Sequence, residues 1–108
     1  MKKPSSQSDI LVGTWRSADE FGSDVVYRVS KKKAGYSVVA CDTHDGELAD
    51  IFEEKWDENA GIFSFAAHWN STGRFSRGQL RAITKKQVAL TYTYTDTDVL
   101  IRTDAKTA

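Results

Sequence analysis

Two histidines, His44 and His68, are the side chains in this 108-residue sequence best suited to acid–base work or metal ligation. His44 stands between Asp42 and Asp45, and the three together could offer a weak loop site for a cation. A tight divalent site takes three or four ligands, and the sequence has no HxH or HxxxH spacing. The stretch Thr43-His44-Asp45-Gly46 therefore reads first as a turn. His68 lies between Ala67 and Trp69 and reads as a surface or barrel-rim imidazole, ahead of a general base. A lone cysteine, Cys41, permits neither an intramolecular disulfide nor a Cys-based zinc site, and its apolar surroundings suit a small packed residue better than a thiolate. No serine occupies a Gly-x-Ser-x-Gly elbow, and no GxxxxGK[ST] phosphate cradle is present. The expectation is a protein that is not an enzyme and needs no cofactor or metal.

Charge adds two further candidates. Residues 42–58 hold eight carboxylates and one lysine, a net −7, against +3 before them and +4 after. The plain reading is a solvated face; the sharper one is acidic-to-basic self-association, so a homodimer is an admissible arrangement. Arg74, Arg77 and Arg81 with Phe75 have the chemistry to hold single-stranded bases. Fifteen basic residues balance fifteen acidic ones, so nucleic acid is not the expected partner. Arg77, Gln79 and Arg81 alternate with Ser76, Gly78, Leu80 and Ala82; in a narrow interior the small residues should point inward and the arginines out.

The elements that must position these groups are strands. Apolar residues make up 40% and charged residues 28%, enough for one domain and one core. Gly-, Asn- and Asp-rich clusters recur at short intervals and separate runs of about 6–11 residues rich in β-branched and aromatic side chains. The run Val88–Thr95 alternates most regularly, with Val88, Leu90, Tyr92 and Tyr94 on one face. Strands are expected near 10–18, 24–31, 35–42, 47–56, 61–69, 74–84, 87–95 and 98–103. One segment is ambiguous: in 46–58, Leu48, Ile51, Phe52, Lys55 and Trp56 also share a helical face, so a short helix stands as the alternative there. An open sheet of eight strands would leave two edges and one apolar face bare, whereas an up-and-down barrel removes both faults.

Two short motifs carry a family resemblance. Leu11-Val12-Gly13-Thr14-Trp15-Arg16 places a Gly-x-Trp on the first strand, and Val99-Leu100-Ile101-Arg102 ends the last strand in arginine. Together with the strand count they resemble the lipocalin and calycin superfamily, in the minimal form found in uncharacterised bacterial proteins. That resemblance implies an eight-stranded antiparallel barrel over residues 9–103, closed by Gly13, Trp15 and Arg102; residues 1–8 and 104–108, polar and without periodicity, read as tails. The chain is shorter than typical lipocalins and has neither their C-terminal helix nor their disulfides. The expected role is binding of a small apolar or aromatic molecule by Phe63, Phe65, Trp69, Leu90, Tyr92 and Tyr94. The alternative is an interaction or self-assembly module with a filled barrel. No apolar run follows Lys2 and Lys3, and none reaches a membrane-spanning length, so a soluble cytoplasmic protein without a membrane partner is expected.

Overall fold

The computed structural model describes residues 10–95 and 98–103. The expected tails at 1–8 and 104–108 lie outside them, Thr103 being the last described residue. Eight strands follow in chain order: β1 (Gly13–Trp15), β2 (Val25–Lys32), β3 (Gly35–Asp42), β4 (Glu47–Leu48), β5 (Asp50–Asp57), β6 (Ile62–Trp69), β7 (Arg74–Thr84) and β8 (Gln87–Thr95). They form two four-stranded antiparallel sheets, β1-β2-β3-β4 and β5-β6-β7-β8, with no helix among the described residues. Three of the turns share one design: Gly46, Gly61 and Gly73 each donate their amide to the carbonyl four residues back, at 2.7–2.8 Å.

The core lies between the two inner faces. Val29, Tyr36 and Val38 of the first sheet meet Phe63, Phe65 and Leu80 of the second, with Leu11 beneath them. Tyr36 packs 5.7 Å from Phe63 and edge-on to Trp56 at 5.0 Å, while Tyr27 lies 6.0 Å from Phe65. Each fully buried side chain of this kind stabilises the fold by about 1.5–3 kcal/mol. Gly78 is buried on β7 because the Phe65 ring crosses it; an added Cβ would come within 3.3 Å of that ring and 3.2 Å of Leu90. Arg77, Gln79 and Arg81 point outward, as the small-residue argument requires.

The expected strand at 47–56 is real but broken at Ala49. Its first two residues pair with β3, and from Asp50 onward the chain pairs with β6 instead. This is how one meander turns a corner and becomes two sheets. Within β5 a bulge sets Glu53 and Glu54 together opposite Phe65, and Glu53 takes a φ of 57°. The bulge explains the helical-looking spacing. Residues five apart face opposite sides of a regular strand, yet Ile51 and Trp56 both pack on the core.

The ends differ from expectation. β1 is three residues long where a strand over 10–18 was expected. Residues 98–103 form no strand, and Val99, Leu100 and Ile101 are more than four-fifths exposed. A strand requires a partner ladder, and nothing among the described residues pairs with the outer edge of β8 or of β1.

Candidate functional site

The most exposed aromatic surface of the inner face lies along β8. Leu90, Tyr92 and Tyr94 alternate onto that face and sit opposite Leu80, Gly78 and Ser76 of β7. Because Gly78 and Ser76 are small, the two tyrosine rings meet little side chain from β7. They stack on each other, 6.5 Å apart and 25° from parallel, and remain 59% and 53% exposed. The Arg74 guanidinium lies over the Tyr94 ring, 4.5 Å from its centroid, an arrangement that favours the cation by about 0.5–2 kcal/mol. Tyr27 reaches in from β2. Burial raises its phenol pKa, and Tyr92 raises it further, because a second phenolate there would be repelled. Tyr27 is thus in electrostatic reach of Tyr92, Tyr92 stacks on Tyr94, and Arg74 lies over Tyr94: an array of apolar rings with polar tips.

The six residues expected to bind a ligand share this inner face but not one environment. Phe63 and Phe65 are core, at 0% and 5% exposure. Leu90 is half-buried against that core, and Trp69 is half-buried at the end of β6, paired across strands with Arg74. Only Tyr92 and Tyr94 are open. Tyr27 was missed, although the alternation Val25, Tyr27, Val29 carries the signal for an inward ring. Arg74 was legible only as part of a cationic cluster; its stacking on Tyr94 follows from cross-strand order.

The expected closure residues lie on different segments. Gly13 and Trp15 lie on β1, where Gly13 takes a φ of 150° and the Trp15 indole N–H donates to the Leu11 carbonyl at 2.9 Å. Arg102 lies in the exposed segment after β8.

Elsewhere the chemistry is ordinary. The His44 amide donates to the Asp42 carboxylate at 2.9 Å, which makes this segment an Asx-type turn. His68 Nδ1 stands 4.0 Å from the Asp50 carboxylate, which accepts a hydrogen bond from the Asn70 amide at 3.0 Å. Among the described residues no three His, Cys, Asp or Glu side chains gather as a metal site. Cys41 is a half-buried free thiol. On the outer face a bay of about 490 Å³ is bordered by Glu53, Lys55, Arg77, Gln79 and Thr91, with Arg77 and Glu53 paired across it. A second hollow of about 470 Å³ adjoins Gly35, Tyr36, Glu54 and Trp56. No helix in the described residues is long and apolar enough to cross a membrane.

Comparison with known protein families, with curated proteins and with solved structures gives no match.

Proposed function

We propose that the chain is a lipocalin-like binding protein, whose inner face takes a small apolar or aromatic molecule at the mouth formed by Tyr27, Tyr92, Tyr94 and Arg74. The observation that carries this reading is the stacked pair Tyr92 and Tyr94, more than half exposed on a face whose other aromatics are buried or half-buried. Small-ligand sites are mostly apolar with a few polar anchors, and here three phenols and a guanidinium supply the anchors. Phe65 and Leu90 form the inner wall and are positioning residues, since core packing already occupies them. A closed eight-stranded barrel belongs to this proposal: it would enclose the mouth that the two separate sheets leave open.

A fluorescent apolar probe titrated into the protein tests the reading. Saturable binding at roughly micromolar concentration, about −8 kcal/mol, is expected, with quenching of tryptophan emission. Tyr92→Ala with Tyr94→Ala should weaken it at least tenfold. Binding that survives the double substitution, or no saturable binding at all, overturns it. The second reading, an assembly module, is favoured by a separate observation, the exposure of Val99, Leu100 and Ile101.

A further inference from the structure

Long edge strands recruit other chains, and folded proteins guard them with charge, proline, bulges or short length. The two sheets have four edge strands, guarded very differently: β4 is two residues long, and β5 carries a bulge and five charged residues. β1 is three residues long. β8 runs for nine residues, QVALTYTYT, without one charged residue or proline. Its ladder with β7 is regular from Val88 to Thr95, the one irregularity falling at its beginning, between Ala82 and Thr84. Among the described residues nothing covers its other side.

The same molecule displays a shorter segment, residues 98–103, of matching character. Val99, Leu100 and Ile101 are exposed by 83%, 84% and 84%, flanked by Asp98 and Arg102. Three consecutive apolar side chains held in water are a contact surface without its contact. The fit to β8 is a matter of parity. In an antiparallel register that sets Val99 opposite Tyr94, Ile101 falls opposite Tyr92, so both apolar residues join the inner face beside the two exposed rings. Asp98, Leu100 and Arg102 then fall on the outer face, next to Thr95, Thr93 and Thr91. The apolar deficits on β8 and on this segment cancel in one register.

We propose that two copies of the chain exchange this segment: residues 98–103 of each copy pair along β8 of the other, and the second copy's Val99 and Ile101 complete the inner face beside Tyr92 and Tyr94. The segment stands off its own sheet, although it follows β8 closely in sequence. Reciprocal exchange is isologous, so it covers both long edges and stops at two copies instead of growing into a fibre. The formal net charge of zero puts no overall repulsion between copies. The proposal rests on the same inner face as the ligand reading but on a different observation, the unguarded edge.

A disulfide trap reads the register directly. Thr93→Cys and Leu100→Cys, introduced together with Cys41→Ala, put the only two thiols opposite each other on the outer face, away from the core. After mild oxidation a non-reducing denaturing gel should show a covalent dimer of twice 12.1 kDa. An internally bridged monomer would overturn the exchange in favour of closure within one chain; unbridged monomer would overturn the pairing altogether. Sedimentation of the unsubstituted chain guards against a misfolded variant: a dimer is expected across a dilution series, and a monomer at every concentration overturns the proposal. Neither readout involves a ligand, so a dimer without probe binding defeats the ligand reading alone.

Discussion

Tyr27 is where burial and function pull on one group. Its phenol lies between the sheets, against Phe65 and within electrostatic reach of Tyr92, so its pKa is raised above the ordinary value of about 10. A raised phenol pKa means that the folded chain keeps a proton that the unfolded chain gives up. Its contribution to stability is therefore complete below pH about 10 and is lost as pH rises from there through the folded value. Alkaline thermal melts should show the parent losing stability above that pH more steeply than Tyr27→Phe. Tyr92→Phe removes the second cause and should bring the last-titrating phenol to lower pH in an ultraviolet tyrosine titration. If the Tyr27→Phe melts track the parent at every pH, Tyr27 is not held between the sheets as described. Glu53 sits at this scale too: its positive φ is a strain of about 1–3 kcal/mol, retained because the bulge is what aims Trp56 at the core.

At the scale of elements, the join between the two sheets depends on a side chain. Past Ala49 the strands β3 and β5 separate, and there the Glu54 carboxylate accepts from the Val38 amide at 2.8 Å and the Ser37 hydroxyl at 3.1 Å, with Lys32 at 3.4 Å. One carboxylate thus takes the place of a missing ladder partner. Glu54→Ala would leave the Val38 amide without an acceptor in a partly buried position, at a cost of about 1–3 kcal/mol. Glu54→Gln keeps an acceptor oxygen and should cost less than half as much; chemical denaturation of both variants checks the order. Equal losses would mean that the charge on Lys32, an exposed partner, matters more than the amide. None of this was legible in the sequence, where Glu54 is one of eight carboxylates in an acidic stretch. β2, β3, β6, β7 and β8 were legible nearly to the residue, because each is a run rich in β-branched and aromatic residues set between turn clusters. The stretch 46–58 was not, because its bulge changes the parity of the side chains midway, and period-two reasoning has no means of marking that residue.

At the scale of the whole molecule, the sequence pointed to closure through the pairing of its two ends, and the ends are where the structure departs from that expectation. The run Val99–Ile101 has the composition of a strand, but a strand exists only with a partner, and no local pattern names the partner or the copy it comes from. The inner-face residues of the candidate site were readable because alternation fixes the face; their division into buried Phe63 and Phe65 and open Tyr92 and Tyr94 was not, since it depends on what lies beyond the β8 edge. Trp15 and Arg102 separate the arrangements energetically. Trp15 is half-buried against the core and bonded to the Leu11 carbonyl, so Trp15→Ala should cost toward the low end of the about 3–5 kcal/mol typical of such truncations. Arg102 is exposed, and in an isolated chain Arg102→Ala should stay within about 0.5 kcal/mol of the parent. Exchange between copies adds a signature that neither an open monomer nor a self-closed barrel has. Folding is then linked to association, so the melting temperature of the parent should rise with protein concentration. Substituting Arg102, which would lie beside the second copy's Thr91, should reduce that rise while leaving the dilute melt unchanged. A self-closed barrel predicts the opposite pattern: an Arg102→Ala loss of the same size at every concentration, coupled to the loss from Trp15→Ala. Melts of the two single variants and the double variant, each at high and low concentration, distinguish these outcomes.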